Sequence, residues 1–203
     1  MDIQAVIFDM GGVIIRSFDE IPRIRLAKRL GWTYEQLINL IFDSPTARQA
    51  TLGEITEEEH WETLRKQLEY STENMQNFRK EFWSGDGADR ELLDFIGGLR
   101  PKYRTGLLSN AWSGARRALT DQYHALDVFD VSVFSAEVGM AKPDPRFYQW
   151  MLNHLAVQPG EAIFVDDFPA NVEAAVGLGI HGIQFTSSKQ AQRDVIALLN
   201  GQT

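Results

Sequence analysis

The chain has 203 residues, of which 44% are hydrophobic and 24% are charged. This length suits one compact domain, or one core that carries an insertion. The sequence has no cysteine and four histidines. It therefore excludes disulfide scaffolds, thiol nucleophiles, thiolate zinc sites and iron–sulfur clusters, and it argues against a histidine-rich metal site. Oxygen ligands would have to hold a metal here, which favours magnesium, calcium or manganese.

Acidic residues outnumber basic residues by 28 to 20, so the formal net charge is −8. Such a surface repels nucleic acid and anionic lipid, and no apolar run approaches the roughly 18 residues that span a bilayer. We expect neither a nucleic-acid partner nor a membrane. The one basic stretch, from Arg23 to Arg29, is interpreted as a solvated helix face. The beginning of the chain lacks the basic and apolar regions of a signal peptide, so we expect a cytoplasmic protein.

Five short apolar segments have the character of strands that are buried on both faces of a parallel sheet. These predicted strands are Ile3–Phe8, Arg104–Ser109, Val131–Ser135, Ala162–Asp166 and Ile180–Phe185. Helical patterns lie between the later strands. The predicted helices are Arg90–Leu99, Ser113–His124 with Ser113 as its N-cap, one that opens at Asp144-Pro145, Pro169–Leu178 and Lys189–Leu199. This alternation predicts a doubly wound, Rossmann-like α/β sheet with right-handed crossovers.

The segment from residue 16 to residue 88 interrupts the alternation. It shows helical periodicity and no convincing buried strand, and Thr56 and Glu59 have the spacing of a capping box. We interpret Ser84–Ala88 as the hinge by which the chain returns to the sheet. The sequence therefore predicts an α/β core of residues 1–15 and 89–203, with an inserted helical cap of residues 16–88.

Reactive side chains follow several of the predicted strands, and ligands in open α/β sheets bind beyond the carboxyl ends of the strands. These residues are Asp9, Ser109, Asn110, Lys142, Asp166 and Asp167. Carboxylates without histidine or cysteine suit Mg²⁺, which would reduce the repulsion between an aspartate and an incoming phosphate. Asp9 could then attack phosphorus, while the Ser109 hydroxyl holds a phosphoryl oxygen and Lys142 stabilises the developing negative charge.

Four ordered motifs resemble those of the haloacid dehalogenase-like (HAD) hydrolase superfamily. They are Ile7–Val13, Leu107–Asn110, Lys142–Asp144 and Phe164–Asn171. Their order and spacing agree over nearly the whole chain, and the insertion is similar to the cap of the subgroup that carries its cap after the first motif. The branch with paired aspartates in the fourth motif looks closest. It includes sugar-phosphate phosphatases and the N-terminal phosphatase domain of epoxide hydrolases.

The resemblance implies a role for each matching residue. The implied magnesium ligands are Asp9, the Gly11 carbonyl, Asp167 and, directly or through water, Asp166. The implied phosphate-binding residues are Ser109, Asn110 and Lys142, and the implied catalytic residues are Asp9, Ser109 and Lys142. Asn171 would lie near the water shell of the metal. The implied reaction is the magnesium-dependent hydrolysis of a small phosphorylated metabolite, such as a sugar phosphate, through an aspartyl-phosphate on Asp9.

The chain departs from this pattern at Gly11, where phosphatases of the superfamily usually carry a second aspartate as general acid and base. The main-chain carbonyl is kept, but the proton donor is lost, and such catalysis is typically worth about 10²–10⁴-fold. An anomeric or acyl phosphate would need the acid least, because its leaving group has a low pKa. Glu54 or His60 of the cap could also replace the missing acid.

Three functions other than a phosphatase can be considered for this sequence. The chain could be a weak or inactive binding or regulatory protein, because Gly11 replaces the acid. A 2-haloacid dehalogenase needs no metal, and Asp166 and Asp167 would then lack a charge partner. A phospho-accepting receiver domain is shorter and carries its acidic pair before the acceptor. The sequence leaves open the substrate and the choice between a monomer and a homodimer.

Overall fold

The structure is a computed structural model that describes residues 2–201. Its strands are β1 (Ala5–Phe8), β2 (Ile15–Ser17), β3 (Asp86–Ala88), β4 (Arg104–Ser109), β5 (Val131–Phe134), β6 (Ala162–Asp166) and β7 (His181–Gln184). Five of them form a sheet in the order β5-β4-β1-β6-β7, in which every neighbouring pair is parallel. The predicted doubly wound α/β core is therefore confirmed.

Helices surround this sheet and fill the long segment between β2 and β3. They are α1 (Ile21–Arg29), α2 (Tyr34–Phe42), α3 (Pro45–Thr51), α4 (Glu57–Gln67), α5 (Thr72–Trp83), α6 (Arg90–Leu99), α7 (Ala115–Arg117), α8 (Ser135–Val138), α9 (Pro145–Leu155), α10 (Pro169–Gly177) and α11 (Ser188–Leu199). A π-helical turn, Ala118–Gln122, continues α7, and a 3-10 turn, Pro159–Glu161, precedes β6. Among residues 2–201, no helix is both long and apolar enough to cross a membrane.

The central strands β1 and β6 are buried on both faces, which explains why they are almost entirely apolar in sequence. Val6 and Phe8 of β1 belong to one buried cluster, whereas Ala5 and Ile7 belong to another on the opposite face. In the register of the sheet, Phe8 lies beside Leu107 of β4 and Val165 of β6. The carboxyl ends of these three central strands therefore meet at one edge, where the reactive residues lie.

The five helices α1 to α5 enclose a third buried cluster, which includes Trp61, Phe78 and Phe82. The predicted capping box of α4 is present, because the Thr56 hydroxyl accepts from the main-chain N–H of Glu59 and the Glu59 carboxylate accepts from the N–H of Thr56. Trp112, from the segment after β4, also packs into this cluster. These buried aromatic side chains thus connect the cap helices to the edge of the sheet at which the sequence predicts phosphate binding.

The segment from residue 16 to residue 88, expected to hold no convincing buried strand, has a short half-buried strand at each end. β2 and β3 pair antiparallel, with Ile15 beside Ala88 and Ser17 beside Asp86. The expected hinge is therefore partly a strand, and each of the two strands has only three residues, all half-buried. Strands this short and this polar lack the apolar alternation by which a strand is recognised in sequence.

The predicted N-cap at Ser113 is also wrong. α7 begins at Ala115 after Gly114, and the Ser113 hydroxyl instead accepts from the main-chain N–H of Glu57, at 3.2 Å. Glu57 is the first residue of α4, so its N–H has no partner within its own helix. Ser113 therefore satisfies a donor of the cap rather than one of its own helix.

The basic stretch of α1 is not a solvated face throughout. Arg23 is buried, and its guanidinium donates to both oxygens of Asp86, at 2.9 and 2.7 Å, while its Nε donates to the Phe82 carbonyl. The Ser17 hydroxyl donates to the same Asp86 carboxylate at 2.6 Å. This ion pair ties α1 to the β2–β3 pair. Arg29 keeps the expected surface position and pairs with Glu81.

The Arg23–Asp86 pair predicts a large loss of stability when one partner is removed. Both side chains are at most 10% exposed, so Arg23→Gln leaves a buried carboxylate without its cation, which typically costs about 3–5 kcal/mol. Arg48→Gln is the matched control, because Arg48 and Asp43 are both mostly exposed, and we expect a change within about 0.5 kcal/mol. Urea unfolding followed by tryptophan fluorescence measures both. Equal unfolding midpoints would contradict this reading of the hinge.

Candidate active site

Lys142 lies between two carboxylates at the carboxyl edge of the sheet. Its Nζ donates to Asp9 Oδ1 and to Asp166 Oδ2, both at 2.6 Å, and its side chain is 1% exposed. Asp9 follows β1, Asp166 ends β6, and Lys142 comes from the connection between α8 and α9. The structure thus brings three of the predicted site residues into direct contact. A cation bonded to each buried carboxylate offsets much of the cost of burying both charges.

Asn110 fixes the main chain of Lys142 through its side-chain amide. Its Nδ2 donates to the Lys142 carbonyl at 2.8 Å, and its Oδ1 accepts from the Lys142 N–H at 2.7 Å. The lysine is therefore tied to the end of β4. One N–H of the Asn110 amide remains for a contact to phosphate. The sequence motif pointed to the site but not to this positioning contact.

Asp166 is fully buried, and both of its oxygens accept several hydrogen bonds. Oδ1 accepts from the Phe168 N–H at 2.8 Å, and the Asn171 amide donates to both oxygens at 3.1 Å. The Tyr148 hydroxyl in turn donates to the Asn171 carbonyl at 2.9 Å. Asn171, expected near the water shell of a metal, thus orients Asp166. The Tyr148 contact carries no signal in the sequence, because it depends on the packing of α9 against α10, whereas the Phe168 contact is local to the turn that precedes α10.

Asp9, Asp166 and Asp167 form an acidic cluster, in which one carboxylate oxygen of each lies within 4.8 Å of the others. Burial raises the pKa of Asp9, and the charge of Asp166 adds to this rise while Lys142 opposes it. Desolvation and the neighbouring Asp166 also raise the pKa of Asp167. Three carboxylates share one ammonium, so the cluster favours an additional cation. Its all-oxygen donors fit Mg²⁺, which takes few protein ligands and keeps several waters.

Gly12 leaves the space that Asp167 occupies. A Cβ built on Gly12 would lie 2.1 Å from Asp167 Oδ2 and 2.7 Å from its Cγ, and the backbone at Gly12 has a φ of +77°. Only glycine adopts this conformation readily while allowing a carboxylate to approach so closely. The acidic cluster therefore requires a glycine at position 12. The sequence pattern alone indicates only that this glycine ends the strand.

Gly11 and Ser109 flank the cluster from the ends of β1 and β4. Gly11 is exposed, and apart from its chain neighbours no heavy atom lies within 4 Å of a Cβ built on it. Ser109 is buried. Two residues further along the chain, the main-chain N–H of Ala111 donates to the Ser135 hydroxyl at 2.9 Å. The role of the Gly11 carbonyl as a metal ligand and of Ser109 in binding phosphate stay predictions.

The two proposed substitutes for the missing acid differ in their surroundings. His60 is fully buried in the cap: its Nδ1 lies 2.8 Å from the Thr46 hydroxyl, and its Nε2 lies 3.0 Å from the Ile41 carbonyl. Burial lowers its pKa, so His60 is a neutral core residue. Glu54 is exposed, on the loop where the adjacent Gly53 approaches a main-chain carbonyl of α8.

The close approach of Gly12 and Asp167 predicts a specific loss of metal affinity. In Gly12→Ala the new methyl group must displace the Asp167 carboxylate, so we expect Mg²⁺ affinity to fall by about 10-fold or more. Gly11→Ala adds the same methyl group where space is open, and it should bind Mg²⁺ more tightly than Gly12→Ala. Isothermal titration calorimetry compares them. Wild-type affinity in Gly12→Ala would contradict the assignment of Asp167.

Comparison with known proteins supports the resemblance found in the sequence. A family profile of haloacid dehalogenase-like hydrolases matches residues 3–179. The D-ribitol-5-phosphate phosphatase of Bacteroides thetaiotaomicron is 26% identical, over 98% of this chain and 99% of that protein. The phosphorylated carbohydrates phosphatase of Thermotoga maritima is 31% identical, over 89% of this chain and 83% of that protein. The chain spans only 7% to 25% of the length of several other curated relatives.

A similar fold is found in a solved structure of a HAD family enzyme from Bacteroides thetaiotaomicron. That structure, a variant in complex with magnesium and inorganic phosphate, has a TM-score of 0.75 and 25% sequence identity, and the match covers 91% of this chain and 94% of that one. The family match, the fold and the acidic cluster agree with one another. The chain belongs to the haloacid dehalogenase-like hydrolases.

Proposed function

We propose that the chain is a magnesium-dependent phosphatase of small phosphorylated metabolites, which acts through an aspartyl-phosphate on Asp9. The observation that carries this proposal is the pairing of Asp9 with Lys142 inside an acidic cluster at the end of the central strands. The names of two relatives, which describe phosphatases of ribitol phosphate and of phosphorylated carbohydrates, support a small phosphorylated metabolite as the substrate.

Each residue of the site has a part in this reaction. An Asp9 oxygen forms a bond to phosphorus as the bond to the leaving group breaks, and the Lys142 ammonium stabilises the charge on the phosphoryl oxygens. Ser109 would hold one of these oxygens, while Asn110 keeps Lys142 in place. Mg²⁺, when bound by the acidic cluster, neutralises the carboxylates and polarises the phosphoryl group. Water then attacks the aspartyl-phosphate, which releases inorganic phosphate and restores Asp9.

A second candidate is a binding or regulatory protein with little turnover, which is favoured by Gly11. The chain would then keep its affinity for Mg²⁺ and phosphate but lack a proton donor at the position where phosphatases of the family usually carry one. A 2-haloacid dehalogenase fits the site less well. That reaction needs no metal, and the three clustered carboxylates would keep only the Lys142 ammonium as their cation.

The proposal predicts that phosphate release depends on both Asp9 and magnesium. We expect wild-type protein to release phosphate from members of a panel of sugar and acyl phosphates. Asp9→Asn, which keeps the shape of the side chain but is a far weaker nucleophile, should release none above the buffer background, and EDTA should abolish the wild-type rate. Asp43→Asn, at an exposed aspartate of the cap, serves as the matched control.

The same assay separates the candidates. Binding of Mg²⁺ and phosphate without turnover on any substrate would favour the binding protein. Chloride release from 2-haloacids that is insensitive to EDTA would favour the dehalogenase. Phosphate release by Asp9→Asn at the wild-type rate would overturn the proposed role of Asp9.

A further inference from the structure

The atom that leaves with the metabolite determines how much a phosphatase needs a general acid. When the phosphorus–oxygen bond breaks, the leaving oxygen takes the electron pair of that bond. An alkoxide is about as strong a base as hydroxide, so it leaves far more easily when it is protonated. A phenolate, from a phenol with a pKa of about 10, needs a proton less, and a carboxylate, from an acid with a pKa of about 4, needs none.

The charged groups around Asp9 are already committed to other contacts. Lys142 directs two of its three N–H bonds at Asp9 and Asp166, which leaves the third for a phosphoryl oxygen. Asp166 accepts from Lys142, from the Phe168 N–H and from the Asn171 amide. Asp167 belongs to the acidic cluster that fits the metal. Within the described residues, none of these three neighbours is assigned as the acid that would protonate the leaving group.

The position at which the family resemblance places the general acid is Gly11, which is exposed and open. It lies two residues after the nucleophile, and no atom beyond its chain neighbours comes within 4 Å of a Cβ built there. His60 cannot take its place, because it is buried in the cap with both ring nitrogens in hydrogen-bonding contacts. Glu54 is the remaining acid of the two that the sequence suggested, and it is exposed on a cap loop.

We propose that this site is selective for phosphates whose leaving group departs without a proton, acyl phosphates above all, followed by aryl phosphates and then by anomeric sugar phosphates. This inference rests on the proposed phosphatase function and narrows its substrate class. Simple alkyl phosphates, such as the phosphate of a primary sugar hydroxyl, would be poor substrates because their leaving oxygen needs a donor that position 11 does not supply.

The chemistry balances without an additional acid or base. In the first step, the Asp9 carboxylate bonds to phosphorus, and the leaving group departs as a carboxylate or phenolate with the electron pair of the broken bond. The product is a phosphate anhydride of Asp9, which is itself an acyl phosphate. In the second step, water bonds to phosphorus, the Asp9 carboxylate leaves unprotonated, and both protons of the water remain on the inorganic phosphate product.

The test measures how kcat/KM depends on the basicity of the leaving group. A series of ring-substituted aryl phosphates varies this basicity at nearly constant shape, with acetyl phosphate and glycerol phosphate as the acyl and alkyl extremes. For wild-type protein we expect kcat/KM to fall steeply as leaving-group pKa rises. The alkyl phosphate should react at least about 10²-fold more slowly than the acyl phosphate, which corresponds to the usual contribution of a general acid.

Substitutions at position 11 supply the matched comparison. Gly11→Asp should flatten the dependence, with a gain of about 10²-fold on the alkyl phosphate and little gain on the acyl phosphate. Gly11→Asn fills nearly the same volume but is not an acid, so its dependence should stay as steep as that of wild type. Glu54→Gln should leave the slope unchanged. Mg²⁺ binding by each variant shows that the site is still formed.

The outcomes separate this inference from the function on which it rests. No turnover on any substrate would overturn the phosphatase proposal itself. Turnover that depends on Asp9 but is equally fast for alkyl and acyl phosphates would overturn only the present inference. A slope that becomes steeper in Glu54→Gln would also overturn it, because it would show that the cap supplies the acid. The wild-type slope remains decisive even if Gly11→Asp fails to fold.

Discussion

The Lys142 ammonium between Asp9 and Asp166 is the interaction on which the rest of the site depends. Two carboxylates at the ends of neighbouring strands repel each other, and burial increases the cost of keeping either one ionised. Lys142 bonds to both at 2.6 Å from a position that is almost inaccessible to water. Burial raises the pKa of Asp9, and Lys142 opposes this rise, so the lysine favours the charged carboxylate that a nucleophile toward phosphate needs.

The sheet and its loops serve this arrangement. The parallel order places β1 between β4 and β6, so the nucleophile strand is flanked by the strand that ends in Ser109 and the one that ends in Asp166. Asn110 ties the lysine to the end of β4, and Gly12 leaves the room that Asp167 needs. The three carboxylates still outnumber the single ammonium, so a bound divalent cation would complete the charge balance.

Much of the core and of the site was predictable, because its signals are local. Strands buried on both faces are short and uniformly apolar, and the residues that follow them at the carboxyl edge are polar and chemically suited to phosphate. The acidic pair Asp166-Asp167 and the lysine before Pro143 therefore stood out in sequence. The roles of Ser109 and of the Gly11 carbonyl depend on a bound phosphate and metal, so they stay predictions.

The features that sequence reasoning missed depend on contacts between distant segments. The β2–β3 pair consists of half-buried three-residue strands held by Arg23, Asp86 and Ser17, and none of these residues carries a local strand signal. Ser113 was expected to cap its own helix, yet its hydroxyl serves α4 of the cap. In each case a polar group has two chemically reasonable partners, and only the packing of cap against core decides between them.

The mechanism requires that Asp9 carries the phosphoryl group during turnover. This can be measured by mass spectrometry of enzyme that is quenched with acid while it turns over an acyl phosphate in the presence of Mg²⁺. We expect a phosphorylated peptide that contains Asp9, which forms within the time of one turnover and is absent in Asp9→Asn. Steady turnover with no phosphorylated Asp9 at any quench time, or phosphate on a different residue, would contradict it.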